Sequence, residues 1–237
     1  MSHQDHRYFA DTYLFETAAE VLAAGTGADG TPWIAVSPNI FHPRGGGQPS
    51  DEGRVDGVAV APERREGGLV ALVAEPGAES ARVGSRVVTA VEPATRLLHA
   101  ALHTAGHLLG FAGEERGWTH TGHSHYPGQA RLDFDPAGLR GELATPELRE
   151  AVRAQLQERV DGLVAAGGAV TSRTDAEGVR TVTIEGVNAE PCGGTHVGDL
   201  SLLRDVRVLE VKIKRGALKV RYDAAHAEFA GHEDPAG

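Results

Sequence analysis

The sequence predicts an α+β fold, in which a β-rich N-terminal domain is joined near residue 93 to a domain that contains both helices and strands. Two observations indicate this. Up to about Glu92, Gly and Pro interrupt short apolar segments, whereas after Pro93 the chain has helical periodicity and then strand-like alternation. The 237 residues suffice for one large domain or two small ones. We therefore expect an N-terminal domain over residues 1–93 and a second domain over residues 94–237.

Four apolar segments of the first domain have the length and composition of β-strands. Turn sequences such as Ala28-Asp29-Gly30 and Glu75-Pro76-Gly77 lie between them. Many short strands at this spacing predict a small barrel or a sandwich. The segments are Thr12–Phe15, Trp33–Val36, Leu69–Val73 and Arg86–Thr89.

Two helices are predicted in the second domain. The first covers Arg96–Phe111, where Leu and Ala recur at three- and four-residue steps. The second has Thr145 as its N-cap and Pro146 at its first helical position, and Gly167 ends it. Its apolar stripe consists of Leu148, Val152, Leu156, Val160 and Leu163.

The end of the second domain is again strand-like. Arg180–Ile184, Arg207–Ile213 and Lys219–Tyr222 alternate apolar with polar residues, and Arg215-Gly216 supplies a turn before the last segment. Between the two helices, His120, His123 and His125 form a cluster that we expect in a loop.

The composition favours a cytoplasmic protein without a membrane segment. No apolar run approaches the roughly 20 residues that span a bilayer, and the polar start of the chain does not resemble a signal peptide. The single cysteine, Cys192, cannot form an internal disulfide, which fits a reducing compartment. A net charge of −10 argues against a protein that coats nucleic acid non-specifically.

Two pairs of residues have the spacing of metal ligands. His103 and His107 lie four residues apart in the first predicted helix, so both imidazoles project from one face. Cys192 and His196 have the same offset, but Gly193-Gly194 between them predicts a loop in which thiolate and imidazole can converge. A sulfur ligand combined with imidazoles is typical of Zn²⁺ sites. We therefore predict that these four side chains form one zinc site.

The other histidines near this site rank lower as ligands. His99 continues the face of His103 and His107, and we expect it to support a ligand or to lie in the helix interface. The histidines of the expected loop would lack a fixed scaffold. With twelve histidines in the chain, some must be structural.

A glycine-rich segment, Gly45-Gly46-Gly47-Gln48-Pro49-Ser50-Asp51-Glu52-Gly53, follows Phe41-His42-Pro43-Arg44. It matches neither a P-loop, because no Lys-Ser or Lys-Thr follows the glycines, nor a dinucleotide-binding fingerprint. Such a segment is either a flexible turn or a place where the backbone approaches a ligand closely. In the second case, Gly46, Gly47 and Gln48 would contact the substrate, with the Gln48 amide as donor or acceptor.

A short basic strip lies near the C-terminus. Within 18 residues it holds all three lysines of the chain together with four arginines. Charges of this kind either protect strand edges from association or contact the phosphates of a nucleic acid. The strip consists of Arg204, Arg207, Lys212, Lys214, Arg215, Lys219 and Arg221.

In this order, the motifs resemble the alanyl-tRNA editing domain. They are the glycine-rich segment, then Arg96 followed by His103-Thr104-Ala105-Gly106-His107-Leu108-Leu109, then Pro191-Cys192-Gly193-Gly194-Thr195-His196-Val197. The resemblance extends from about Thr12 to Tyr222. The editing domain of threonyl-tRNA synthetase shares the His and Cys/His motifs, but the glycine-rich segment favours the alanyl type. Because we expect no room for an aminoacylation domain, the chain is similar to the freestanding AlaX type.

The resemblance implies a small N-terminal β-barrel followed by an α/β editing domain with a zinc site. It implies an ATP-independent, zinc-dependent hydrolase that deacylates Ser-tRNA(Ala), with Gly-tRNA(Ala) as a second substrate, and so protects translation fidelity. The partner would be the acceptor end of mischarged tRNA(Ala), bound by Lys212, Lys214, Arg215 and Lys219. The sequence leaves the oligomeric state open, and a monomer is the expectation.

The resemblance also suggests roles for the metal ligands. Four protein ligands would close a tetrahedral site, whereas a hydrolytic zinc keeps one position open. His103, His107 and Cys192 would then be firm ligands, and His196 a ligand or a proton shuttle. Alternatively, zinc expands to five ligands, or it only anchors the substrate amino group while an unbound water attacks.

Substrate contacts follow from the same comparison. Gln48 would lie in the pocket wall that faces the acyl group. Discrimination between Ser and Ala requires a polar group that is left unpaired when the hydroxyl is missing, and Thr104 and Thr195 are the candidates by position. Two residues depart from the family pattern, because His42 stands where Tyr is common and Gly106 where Thr or Met is common. We expect Gly106 to enlarge the pocket.

Two other functions are compatible with the same residues. A structural zinc protein could bind tRNA or a synthetase without catalysis, and a closed four-ligand site would favour that function. A zinc hydrolase could instead act on a small ester or amide, in which case the basic strip would have no role in substrate binding.

Overall fold

The computed structural model describes residues 4–78, 81–137, 141 and 143–228. These residues form thirteen strands and two α-helices, and they divide into two compact units. The first unit takes the described residues up to Leu97 together with Gly193–Thr195. The second takes Leu98–Cys192 and the described residues from His196 onward. A functional division at residue 93 stays a prediction.

Six antiparallel strands of the first unit close into a barrel in the order β1-β2-β5-β4-β3-β6. The expected small β-barrel is therefore confirmed. The strands are β1 (Glu16–Thr26), β2 (Pro32–Ser37), β3 (Gly53–Val55), β4 (Val58–Arg64), β5 (Val70–Ala74) and β6 (Arg86–Val91).

Small and β-branched side chains fill the barrel. Successive side chains of a strand point to opposite faces, so only every second residue of β6 contributes, and Val87 and Val91 are buried while Val88 is exposed. The buried apolar cluster of this unit consists of Ala19, Val21, Ile34, Val36, Ile40, Phe41, Val55, Val70, Leu72, Val87 and Val91.

One expected barrel strand is absent, and one hairpin of the barrel was not predicted. Thr12–Phe15 is not a strand, because the chain turns there and β1 begins at Glu16. The hairpin of β3 and β4 was not expected at all, although Asp56-Gly57 joins its strands with φ of 48° and 84°. Positive φ at both central residues is the geometry of the two-residue turn that Asp-Gly favours.

Both predicted helices are present. Helix α1 (Pro93–Glu115) is longer at both ends than the apolar periodicity indicated. Helix α2 (Pro146–Ala166) begins as predicted, because the side chain of Thr145 accepts a hydrogen bond from the backbone N–H of Leu148. Its buried stripe is Val152, Leu156, Val160 and Leu163, whereas Leu148 is 42% exposed and does not belong to it.

The strands of the second unit form a three-stranded sheet in the order β11-β10-β9 and a four-stranded sheet in the order β12-β13-β8-β7. The three C-terminal segments expected as strands lie in β10, β12 and β13. The strands are β7 (His120–Ser124), β8 (Arg131–Phe134), β9 (Val170–Thr174), β10 (Arg180–Ile184), β11 (Asn188–Pro191), β12 (Leu203–Lys214) and β13 (Ala217–His226).

The four-stranded sheet has one buried and one charged face. Leu218, Val220 and Tyr222 of β13 are buried, while the residues between them are only partly covered. The buried face belongs to the same apolar cluster as Leu102, Ala105 and other residues of α1. Residues that pair directly across antiparallel strands lie on the same face, so the register of each strand decides what faces the helix.

Two of the three clustered histidines between the helices lie on a strand, whereas His125 follows the end of that strand in a loop, as expected. His120 and His123 belong to β7, where they pair with Phe134 and Leu132 of β8. Both partners are buried, so these two histidines lie on the face of the sheet that carries the core. Among the described residues, no helix is both long and apolar enough to cross a membrane.

Candidate metal centre

Four candidate ligand atoms converge in the second unit. His103 and His107 on α1, with Cys192 and His196 after β11, each contribute one atom, and these atoms all lie within 4.8 Å of one another. Sγ of Cys192 lies 3.3 Å from Nε2 of His103 and 3.3 Å from Nε2 of His196. Zinc bonds of about 2.0–2.3 Å in a tetrahedron place neighbouring ligand atoms about 3.5 Å apart. The donor set and its spacing therefore fit a transition-metal ion.

The position of Cys192 is set by its neighbour strand. Its backbone N–H donates to the carbonyl oxygen of Arg180 at 3.0 Å, and its own carbonyl accepts from the Arg180 guanidinium at 2.8 Å. Cys192 thus continues the pairing of β11 with β10 beyond the end of β11. The sequence offered no signal for this role of Arg180, since a charged residue at the start of a strand is common.

The orientation of the His196 ring is determined by Thr104, which is fully buried. The Thr104 hydroxyl donates to the carbonyl of Ala100 at 2.9 Å, so its oxygen must accept from Nδ1 of His196 at 3.2 Å. The same oxygen accepts from the backbone N–H of Val197 at 3.2 Å. Because Nδ1 carries the proton, Nε2 has the lone pair and faces Cys192, as a metal ligand requires.

These three hydrogen bonds use the whole capacity of the Thr104 hydroxyl, which has one donor and two acceptor positions. A contact with a substrate hydroxyl, as expected from the sequence, would require one of them to break.

His107 differs from the other three candidates. Burial, together with the charges of His123, His120 and Arg180, lowers the pKa of His107 to about 4. The ring is therefore neutral at pH 7, so its Nδ1 at 3.6 Å from a Glu190 carboxylate oxygen does not form an ion pair there. Burial also raises the pKa of Glu190. Within the described residues this buried Nδ1 has no hydrogen-bond partner.

The glycine-rich segment of the first unit forms a tight turn. Gly46 and Gly47 have φ of 55° and 73°, and Gly45 and Gln48 exchange backbone hydrogen bonds of 3.1 and 2.9 Å across them. The two glycines are thus needed for a left-handed backbone. Gln48 is fully buried: its Oε1 accepts from the N–H of Thr195 at 3.0 Å and its Nε2 donates to the Thr195 hydroxyl at 2.9 Å.

An ion pair that the sequence did not indicate anchors the same segment. The guanidinium of Arg96 contacts both carboxylate oxygens of Asp51, and it also donates to the carbonyls of Thr12 and Ile40 at 3.0 and 2.6 Å. Both side chains are fully buried. The second carboxylate oxygen of Asp51 accepts from the N–H of His42 at 2.5 Å. All of these groups belong to the first unit, where Asp51 ends the glycine-rich turn.

The space beside Gly106 is occupied and does not enlarge a pocket. A Cβ atom at this position would lie 2.6 Å from Cε1 of His125 and 2.6 Å from the Tyr222 hydroxyl. His125 is 3% exposed and its ring stacks on His103 with centroids 4.2 Å apart. His125 lies in a loop, as expected, but the sequence gives no sign that this loop packs on His103.

A basic groove of about 350 Å³ lies on the charged face of the four-stranded sheet. Lys219 and Arg221 alternate along β13 with buried residues, so they lie on the face opposite to the core. Asp133 pairs with Lys219 at 2.8 Å, while Lys214 and Arg215 are exposed near the turn. The groove is lined by Arg131, Lys212, Lys214, Arg215, Ala217, Lys219 and Arg221.

Comparison with known proteins connects this site to a family. Residues 179–221 match the family model described as the threonyl and alanyl tRNA synthetase second additional domain, a range that includes Cys192, His196 and most of the groove. The chain is 30% identical over 218 residues to alanyl-tRNA editing protein AlaX-M of Pyrococcus horikoshii, covering 89% of this chain and 91% of that protein. The chain belongs to the alanyl-tRNA editing family.

Two further relatives are similar to this chain over most of its length. AlaX-M of Methanosarcina mazei is 28% identical, with 87% of this chain and 90% of that protein covered. The alanine–tRNA ligase of Methanocella arvoryzae is 26% identical over 84% of this chain, which corresponds to 25% of the ligase. Membership of the family expected from the motifs is thereby confirmed.

Proposed function

We propose that the chain is a freestanding editing hydrolase that deacylates mischarged tRNA(Ala), with Ser-tRNA(Ala) as the first substrate and Gly-tRNA(Ala) as the second. The observation that carries this proposal is the convergence of His103, His107, Cys192 and His196 within 4.8 Å in a member of the alanyl-tRNA editing family. An aminoacyl ester is activated, so its hydrolysis needs mainly a placed water and stabilisation of the developing oxyanion.

Zn²⁺ is the proposed metal, because one thiolate combined with imidazoles suits it. When bound, it would act as a Lewis acid on the ester carbonyl or on the attacking water. The same donor set could also hold Co²⁺ or Ni²⁺.

His196 is proposed as a permanent ligand. The Thr104 hydroxyl holds its Nδ1–H and directs Nε2 to Cys192, which is the arrangement in which a neighbouring acceptor fixes a ligand. The shuttle role considered for His196 is proposed instead for His107, whose buried Nδ1 has no hydrogen-bond partner among the described residues. The neutral imidazole of His107 would supply the proton acceptor for the attacking water.

Gln48 is proposed as a positioning residue. Both ends of its amide bind Thr195, the residue that directly precedes His196 in the chain. The Thr195 hydroxyl accepts from Gln48 and keeps its own hydrogen for donation. We therefore propose Thr195 as the group that recognises the seryl hydroxyl, with Gly46 and Gly47 shaping the turn that presents Gln48.

The basic groove is proposed to bind the phosphates of the acceptor stem. It gathers Lys212, Lys214, Arg215 and Lys219 with Arg221 of the same strip, and it adds Arg131, which the sequence did not single out for this role. Replacing Lys214 and Lys219 with Gln should weaken tRNA binding and reduce the salt slope by about 1 for each phosphate contact that is lost. The matched control replaces Arg204 and Arg207, which lie outside the groove and carry the same charge.

The experiment is a deacylation assay with Ser-, Gly- and Ala-tRNA(Ala), run with purified protein of measured metal content. We expect hydrolysis of Ser-tRNA(Ala) and sparing of Ala-tRNA(Ala), and loss of both metal and hydrolysis in Cys192→Ala. Metal and tRNA binding without hydrolysis would instead identify a structural zinc protein. Equal turnover of free aminoacyl esters without tRNA would identify a hydrolase of small esters.

A further inference from the structure

Four histidine rings form a column that leads from the candidate metal centre to the protein surface. His103 stacks on His125 with ring centroids 4.2 Å apart and planes at 21°. His125 stacks on His123 at 5.0 Å and 17°, and His123 stacks on His120 at 5.4 Å and 20°. His103 and His125 are buried, whereas His123 and His120 are exposed. The column therefore crosses from the protein interior to solvent within a single line of imidazoles.

Two features of the backbone are required for this column. His120 and His123 are three residues apart, so in a regular strand they would point to opposite faces. A register irregularity between His120 and Gly122 brings both rings to the same face. On α1, the absence of a side chain at Gly106 leaves the space that His125 and Tyr222 occupy. The strand therefore contains a register shift, and the helix carries Gly in place of a better helix-forming residue, at the two positions where the rings pack.

Hydrogen bonds determine which nitrogen of two of these rings carries a lone pair. The Tyr222 hydroxyl donates to the carbonyl of Leu102 at 3.0 Å, so its oxygen accepts from Nδ1 of His125 at 2.6 Å and leaves the lone pair on Nε2. Nε2 of His120 donates to the carbonyl of Gly122 at 2.9 Å, which leaves the lone pair on Nδ1. An imidazole whose other nitrogen donates to an oxygen is the usual form of a metal-binding histidine.

We propose that His120, His123 and His125 form a loading path for the metal ion of the His/Cys site. The exposed pair captures a divalent ion of the Zn²⁺, Co²⁺ or Ni²⁺ class, and His125 passes it to His103 by stepwise exchange of one imidazole ligand for the next. Bonds of about 2.0–2.1 Å let two nitrogens up to about 4 Å apart share one ion. Because imidazole lone pairs lie in the ring plane, each exchange requires one of two stacked rings to rotate towards the other. The proposal rests on the metal centre proposed above but not on tRNA hydrolysis.

The test follows metal uptake and not activity. Protein stripped with a chelator is mixed rapidly with Co²⁺, and the thiolate-to-cobalt absorption of the Cys192 site is recorded over time. The His120→Gln/His123→Gln double variant should fill this site about tenfold more slowly, because it loses the exposed pair that raises the effective concentration of the ion beside His125. Its final absorption should equal that of the wild type. Calorimetry should show a weak second equivalent of Co²⁺ in the wild type that the double variant lacks.

Ser124→Ala is the matched control, because Ser124 lies on β7 but pairs with Arg131 and faces away from the column. It should take up Co²⁺ at the wild-type rate. His125→Phe, which keeps an aromatic ring without a ligand nitrogen, should be slow.

Wild-type uptake rates in the double variant or in His125→Phe would overturn the loading path. Normal uptake combined with weaker tRNA binding in the double variant would also overturn it and would assign the exposed rings to substrate contact. Lack of a thiolate band in every protein would instead reject the metal centre itself, and with it the path. Slow loading with no hydrolysis of Ser-tRNA(Ala) would support the path while the proposed function fails.

Discussion

Replacing Thr104 with Val tests whether one buried hydroxyl orients His196, the proposed metal ligand. Val has nearly the shape of Thr, so the substitution removes the hydroxyl oxygen without opening a cavity. The buried Nδ1–H of His196 and the backbone N–H of Val197 then lose their acceptor. Each buried donor left without a partner costs about 1–3 kcal/mol, so we expect a loss of about 2–6 kcal/mol in the free energy of unfolding. Metal affinity should fall by about 10- to 100-fold, the usual effect of losing such a supporting bond.

Thr104→Ser is the matched control, because it keeps the oxygen and loses only a methyl group. Zinc affinity is measured by competition with a chelating dye, and stability by urea unfolding of the metal-free protein. We expect Thr104→Ser to stay close to the wild type in both measurements. If Thr104→Val bound zinc as tightly as Thr104→Ser, the hydrogen bond would not determine the orientation of His196, and the assignment of His196 as a permanent ligand would lose its main support.

Three further predictions concern stability. Arg96→Met leaves the buried Asp51 carboxylate without its cation, so urea unfolding should show a loss of about 3–5 kcal/mol in the free energy of unfolding. Adding Asp51→Asn should recover part of this loss, and an unchanged unfolding midpoint in Arg96→Met would contradict the prediction. The pKa of His107 is lowered by burial from 6.5 to about 4, so the folded state disfavours its protonation. The metal-free protein should lose stability as the pH falls from about 6.5 towards 4 and not change for this reason above 6.5, and His107→Gln should flatten that part of the thermal unfolding profile. Gly106→Ala should destabilise the protein by about 1–3 kcal/mol through overpacking, because its Cβ would lie 2.6 Å from two groups. At Gly110 the nearest atom is 3.6 Å away, so Gly110→Ala should stabilise the protein by up to about 1 kcal/mol. The reverse order of stabilities would show that helix propensity outweighs packing.

Local signals predicted the regular elements where local energies dominate. Helix α2 begins at the residue indicated by Thr145 and Pro146, because an N-cap hydrogen bond and a fixed proline φ act within one turn. Strand β10 has the predicted bounds, Arg180–Ile184, because its apolar and polar residues alternate as one face of the strand is buried. The hairpin of β3 and β4 was also accessible from sequence, because Asp56-Gly57 is a strong turn signal. The flanking segments carry little apolar alternation, because β3 has only 3 residues and β4 is mostly exposed.

Strand β7 could not be predicted from its own residues. The segment is rich in His and contains Gly122, and neither residue favours a strand. It is a strand because β8 offers backbone partners along one edge, and its register shift decides which histidines face the core. The expected loop is therefore wrong for His120 and His123 and right for His125, whose contact with His103 depends on the packing of separate elements.

The sequence by itself determined the chemistry that the site can offer. A His pair at a helical spacing and the single Cys with a His four residues later define a soft donor set, because ligand type and helix periodicity are local properties. Only the tertiary structure decided which of the twelve histidines meet. Cys192 reaches His103 across 89 residues, and Thr104, Tyr222 and Gly106 select the tautomers and the neighbours of the rings. Such contacts depend on the packing of several elements at once, and on burial that makes each hydrogen bond obligatory, so no segment of the chain encodes them alone.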